Sequence, residues 1–120
     1  MLYTEEQIQQ IWEKGRKIEG LDPDMYRLDA CGALIMRDKY DMTNKYGWVV
    51  DHIFPRIKGG DDTMINLRPL HYLNNISKAG DYPSYTSAVH FDGLNNIERN
   101  RNLAVNKKLR NKLKEIYKDA

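Results

Sequence analysis

Between Trp48 and Gly80 the chain reads WVVDHIFPRIKGGDDTMINLRPLHYLNNISKAG, and few local structures suit that order of residues. Trp48-Val49-Val50 has the aromatic and β-branched content of a strand, and it ends in an adjacent acid and imidazole, Asp51-His52. Pro55, Gly59-Gly60 and Asp61-Asp62 mark residues 54–65 as a loop, closed by a lone Asn66. Leu67 to Leu70 is a second short apolar run, and its Pro69 suits an edge position. A helix of about two turns is predicted from His71 to Ala79, with Gly80 ending it. The segment is therefore strand, loop, strand, helix, with polar groups at each junction.

The flanks supply a core. Thr4 and Gln7 form a capping-box pair, Tyr3 and Ile8 are spaced as a hydrophobic staple, and Ile8, Ile11, Trp12 and Ile18 recur at helical spacing. A helix is predicted over residues 5–18, with Gly20 as its stop. Ala33 to Met36 reads as a strand, and YTSAVHF at 85–91 as another. In the closing segment Val105, Leu109, Leu113, Ile116 and Tyr117 share one helical face, with lysines and arginines on the others.

Length and composition exclude several classes. A chain of 120 residues is one domain by expectation, here residues 1–120 with a motif core at about 48–80. Its 41% hydrophobic and 30% charged residues fit a globular protein rather than a disordered one. No run approaches the roughly 20 apolar residues of a membrane span. MLYTEEQIQQ is polar and acidic, unlike a secretory signal, and the expected location is the cytoplasm. A single cysteine, Cys31 in DACGALIM, makes neither an internal disulfide nor a zinc knuckle, and reads as a small buried residue. The net charge of +2 is uneven: residues 1–93 hold 11 Lys and Arg against 14 Asp and Glu, and residues 94–120 hold 8 against 3. A basic tail on a near-neutral body points to a polyanionic partner or to a solvated helix face.

The junction residues carry chemistry. Hydrolysis of a phosphodiester needs a water that loses its proton, a counter-charge for the phosphorane, and stabilisation of the leaving oxygen. A hard divalent ion meets the last two needs and prefers oxygen ligands. Asp51 offers a charged oxygen and Asn75 a neutral one. An imidazole accepts a proton near neutral pH, which suits His52 as the base once its other nitrogen is held, for instance by a backbone carbonyl of the 54–65 loop. Strand neighbours point to opposite faces, so a bend at the strand end is expected if both are to serve one site. Asn66 is expected to pin the loop to the strand, through an amide that donates and accepts. Asn75 and Lys78 lie at i and i+3, one for the metal and the other for a phosphate oxygen. Asn74 points elsewhere, as a capping or surface residue. His71 is either a third ligand or a packed, hydrogen-bonded histidine, and His90 lies outside the cluster.

The thirty residues DHIFPRIKGGDDTMINLRPLHYLNNISKAG resemble the HNH endonuclease motif: an acid-His pair, a proline-containing Gly-rich loop, a central Asn-Leu, and a final His or Asn followed by x-x-Lys. YRLDACGALIMRDKY and KYGWVVDHI are similar to the lead-in of small standalone HNH proteins. The resemblance implies an α+β chain with a ββα-metal (His-Me finger) core flanked by N- and C-terminal helices. It implies His52 as general base, Asp51 and Asn75 as metal ligands, Asn66 as the structural asparagine, and Lys78 as the phosphate-side lysine. Many members hold a structural zinc with two Cys-x-x-Cys pairs. The positions of the second pair are His71 and Asn74 here and no first pair exists, so no zinc is expected and the flanking helices must replace it.

The leading expectation is a DNA-cutting endonuclease using one divalent ion, magnesium or manganese. Arg56 and Lys58 in the loop, and Arg99, Arg101, Lys107, Lys108, Arg110, Lys112 and Lys114 in a helical tail, are candidate contacts to the DNA backbone. A non-cleaving nucleic-acid-binding module of the same fold, and an RNase or toxin nuclease, are the alternatives. A homodimer or larger complex would let a double-strand cut proceed in one event.

Overall fold

Thr4 starts the first helix as its capping box predicts: the Gln7 N–H donates to Thr4 Oγ1 at 3.1 Å and the Thr4 N–H to Gln7 Oε1 at 2.9 Å. The computed structural model describes residues 2–120. Helix α1 spans Glu5–Trp12, six residues short of the predicted end. The Lys14 and Gly15 N–H groups turn back to the Ile11 and Trp12 carbonyls, and Arg16 then pairs with Leu28. A Cβ at Gly15 would lie 3.0 Å from Arg27 Cβ, so the next element packs where another helical turn would run.

That element is β1 (Tyr26–Leu28), not legible from the sequence, which pairs antiparallel with β2 (Leu34–Met36). Strand β3 (Trp48–His52) then pairs antiparallel with β4 (Leu67–His71) in the register Asp51↔Arg68 and His52↔Leu67, and helix α2 (Tyr72–Lys78) follows directly. Pro69 sits opposite Val50 in this two-stranded ribbon, where both strands are edges.

The predicted strand at 85–91 is two strands, β5 (Ser84–Thr86) and β6 (Val89–Phe91), with different partners. β6 pairs with β7 (Asn96–Glu98), and β5 with β8 (Asn102–Ala104). The helical tail is therefore shorter than expected. Helix α3 spans Lys107–Lys114, capped by Asn106 Oδ1 at 2.8 Å from the Leu109 N–H. Arg99 and Arg101 lie in the β7–β8 connection, off the helix, and Arg101 donates to the Cys31 carbonyl at 2.7 Å. Ile116 falls beyond the helix and is largely exposed.

The β3–β4 ribbon divides the core. Trp48 and Leu67 pack with Tyr3, Ile8, Ile11 and Trp12 of the N-terminal helix region. Leu70 joins Ile53, Phe54, Tyr85, Val105, Leu113 and Tyr117 from the loop and the C-terminal half. The chain is thus α+β, with three helices and four small antiparallel sheets among the described residues. No helix among them is long and apolar enough to cross a membrane.

Candidate functional site

The loop after β3 must return the chain to β4 without losing hold of His52, and Asn66 does this. Its Oδ1 accepts from the Phe54 N–H at 2.7 Å, and its Nδ2 donates to the Phe54 and Asp61 carbonyls at 3.0 and 3.1 Å. Asn66 is fully buried, and only a carboxamide supplies that acceptor and both donors at once. Gly60 is required beside it: a Cβ there would lie 1.7 Å from the Phe54 carbonyl oxygen.

Alternation along the ribbon persists through its end. Asp51, paired with Arg68, faces α2; His52, paired with Leu67, faces the N-terminal segment. Both nonetheless line one open cleft of about 320 Å³, with Asn75, Arg56, Ile57 and Gly80 among its walls. The strand end itself forms the floor, so the expected bend is not the device that unites them.

Asp51 is 2% exposed and surrounded by donors. Arg68 Nε lies 2.9 Å from its Oδ2, and Asn75 Nδ2 and Lys78 Nζ each 3.3 Å from its Oδ1. Lys78 differs from expectation. It is fully buried, and its Nζ donates to the His52 carbonyl at 3.1 Å, so it reaches the backbone of the site rather than the phosphate side. Burial lowers its pKa, against the pull of Asp51. The short helix α2 packs directly on β3 and β4, which leaves this side chain no path to solvent.

His52 is half-buried. Its Nε2 lies 2.8 Å from Asp62 Oδ1, and that same oxygen accepts from Tyr3 Oη at 2.9 Å and from Arg56 Nη2 at 2.8 Å. The ring is therefore held by a carboxylate of the 54–65 loop, not by a backbone carbonyl. The hydrogen bond from His52 holds the Asp62 carboxyl below its usual range, with Tyr3 and Arg56 adding to it. Burial, and then Asp62, push the Tyr3 phenol up to about 12. Neither Asp62 nor Tyr3 is marked as a site residue by the sequence. Asp61-Asp62 reads as turn punctuation, and nothing local links it to a tyrosine 59 positions away.

His71 is not directed at the cleft. Its Nδ1 accepts from the Leu73 N–H at 3.1 Å, capping α2, so Nε2 carries the proton donated to the Lys45 carbonyl at 2.8 Å. Burial lowers its pKa. Asn74 is likewise no surface residue. It is fully buried, donating to Asp29 Oδ2 and the Val89 carbonyl at 3.0 Å each and accepting from the Ala88 and Val89 N–H groups. Asp29 also accepts from the Cys31, Ala33 and His71 N–H groups. One buried carboxylate thus ties the 29–33 turn to the start of α2, work assigned above to flanking helices. Cys31 is buried, and its thiol is pushed up to about 12 by that burial.

Among the described residues no three His, Cys, Asp or Glu side chains gather as a metal cluster. The Asp51–Asn75 pair is a different donor set, one carboxylate and one carboxamide, and its chemistry suits a hard ion. Hard ions take oxygen ligands; the contact here is the Asn75 Nδ2 donating to Asp51 Oδ1 at 3.3 Å across 24 residues of chain. The Asn75 carboxamide carries an oxygen on the same carbon as that nitrogen.

Of the proposed nucleic-acid contacts, Lys58, Lys107 and Lys108 are exposed, and Arg56 is exposed while bonded to Asp62. Arg110 and Lys58 line a second hollow of about 340 Å³ with Phe54 and Tyr82, so loop and tail cations meet on one side of the molecule. Comparison of the chain with family models, with curated proteins and with solved structures returns no match.

Proposed function

We propose that this protein is a metal-dependent endonuclease of the HNH type, hydrolysing DNA with a ββα-metal core formed by β3, β4 and α2. One observation carries the reading. Asp51 and Asn75, far apart in sequence, bring their head groups to 3.3 Å in a cleft that His52 also lines.

Asp51 and Asn75 would hold one divalent ion, magnesium or manganese; when bound it neutralises charge on the phosphorane and leaving oxygen. The chain's own residues do the rest. Asp62 fixes Nε2 of His52 and leaves Nδ1 to take the proton from the attacking water. Tyr3 and Arg56 hold Asp62 in turn, so the base is oriented by a relay from both the N-terminal segment and the loop. Lys78 links the two halves, with its ammonium between the Asp51 carboxylate and the His52 carbonyl. Arg56 and Lys58 on the rim meet flanking phosphates, which adds affinity without base readout.

Arg68 and Lys78 already balance the Asp51 charge. The ion therefore gains little from the protein alone and depends on phosphate oxygens to complete its shell. That same balance favours the second reading, a nucleic-acid-binding module that does not cut, because Asp51 is satisfied without any metal. A plasmid-nicking assay separates the two. The nuclease reading expects nicks with magnesium or manganese, abolished by chelator and by His52→Ala, with DNA binding retained. Binding with no metal-dependent nicking selects the module, and undiminished nicking by His52→Ala removes the assigned base. Preference for single-stranded RNA over duplex DNA in the same assay would select an RNase.

A further inference from the structure

The lip of the cleft is the turn Arg56–Lys58, and it is closed on itself. The Lys58 and Gly60 N–H groups both donate to the Pro55 carbonyl at 2.9 Å, and the Gly59 N–H donates to the Arg56 carbonyl at 3.0 Å. Gly59 leaves the turn at φ +112°, where a side chain would be strained. A tip built this way is preorganised, and what it presents is Ile57.

Ile57 is 87% exposed, the most exposed large apolar side chain among the described residues. Single exposed aliphatics are ordinary on protein surfaces. This one is set apart by its surroundings: it walls the cleft that holds Asp51, His52 and Asn75, and it stands between two exposed cations, Arg56 and Lys58. Its Cγ2 would lie 2.9 Å from a Cβ at Gly80, so it leans over the glycine that follows the Ala79 cap of α2. Ile76, one helical turn before Gly80, is 68% exposed. An apolar tip flanked by positive charge is matched to a ligand that offers apolar stacked rings between negative groups, which is the make-up of a nucleic-acid strand. Of the Arg56 guanidinium nitrogens only Nη2 is bonded to Asp62, so the rest remain for phosphate.

We propose that Ile57 is a wedge that enters the base stack beside the bond to be cut, with Arg56 and Lys58 on the adjoining phosphates. The inference rests on the nuclease reading and narrows its substrate: DNA whose base step at the cut opens easily, such as a mismatch, a bulge or a flexible pyrimidine–purine step. Unstacking a paired step is unfavourable, and a fitted apolar side chain offsets that cost by filling the gap.

The test has two arms. In the first, the His52→Ala protein, which leaves DNA uncut, is added to duplexes carrying one 2-aminopurine beside the preferred nick site, or scanned along a short duplex where no site is known. Fluorescence is expected to rise severalfold on binding. Adding Ile57→Ala to that variant is expected to abolish the rise while binding persists. Equal fluorescence with and without the isoleucine overturns the wedge and leaves Ile57 for a protein contact. In the second arm Ile57→Ala alone is expected to nick paired duplex about tenfold more slowly, the loss shrinking to about twofold on a duplex mismatched at the cut. An equal loss on both substrates overturns the inference. If the unsubstituted protein nicks no DNA with either ion, the nuclease reading fails, and the fluorescence arm still decides the wedge. At 87% exposure the substitution leaves the fold intact.

Discussion

The two walls of the cleft are built on opposite terms. On the α2 wall, Asp51, Lys78 and Arg68 form an ion network almost sealed from water, with side-chain exposures of 2%, 0% and 11%. On the loop wall, His52 is held by Asp62, whose side chain is 48% exposed and shared with Arg56 at 55%. A sealed network is rigid and costly to break from one side, because the remaining charge has no solvent. An exposed one is weak, screened by salt and easily retuned. Under the proposed mechanism, the side that must hold a ligand atom in place is therefore structural, while the side that must exchange protons keeps contact with water. The loop between them is clamped at adjacent residues by both ends of the chain: Tyr3 donates to Asp62 and Tyr117 to Asp61.

The comparison is broken most severely at Asp51. Asp51→Ala leaves Arg68 and Lys78 buried without their anion and is expected to cost about 3–5 kcal/mol by chemical unfolding, as well as abolishing nicking. A loss below about 1 kcal/mol, typical of an exposed pair, would show that the α2 wall is not sealed. Asn66→Asp follows, at about 3 kcal/mol, since a carboxylate there places unpaired charge against the Phe54 and Asp61 carbonyls. On the loop wall the order of effects reverses. His52→Ala is expected to change stability by less than about 1 kcal/mol while nicking falls about 100- to 10,000-fold.

Asp62→Asn sharpens the contrast further. It leaves the ring a hydrogen bond but removes the charge, and is expected to slow nicking by about tenfold, with Asp62→Glu recovering part of the loss. The gap between the unsubstituted protein and Asp62→Asn should narrow as salt rises, because the Asp62 pairs are exposed. No narrowing would place the loop wall with the sealed one. The smallest effect belongs to Tyr117→Phe. Its hydrogen bond is the largest cause, ahead of those from Thr63, that lowers the Asp61 carboxyl from 3.8 to about 2. A depressed carboxyl stabilises the fold above its unfolded value and loses that contribution as pH falls through the folded one. The stability gap between Tyr117→Phe and the unsubstituted protein is expected to be full at neutral pH and to close as pH falls from 3.8 to about 2 in acid-unfolding curves.

Much of this site is readable in one dimension. The strand at Trp48, the return at Asn66 and the helix near His71 follow from β-branched content, turn residues and helical spacing, and each lies within a residue or two of its expected bounds. The flanks are less legible. α1 stops early because β1 crosses its path, and the basic tail breaks into β7, β8 and a short α3 because β5 and β6 each needed a partner strand. Neither competing contact leaves a local trace.

The sequence by itself determined which residue types stand at the junctions of strand, loop and helix, because those types are set by backbone geometry within a few residues. Only the tertiary structure decided which of them face water. Lys78 and Asn74 are polar residues whose spacing suited a surface, yet packing of α2 on the ribbon and on β5 buried them and gave them partners 26 and 45 residues away. Asp62 became the partner of His52 because the loop held by Asn66 folds back over the strand end. Hydrogen bonds between distant side chains depend on where whole elements come to rest, and that is fixed by burial of the two cores rather than by any motif.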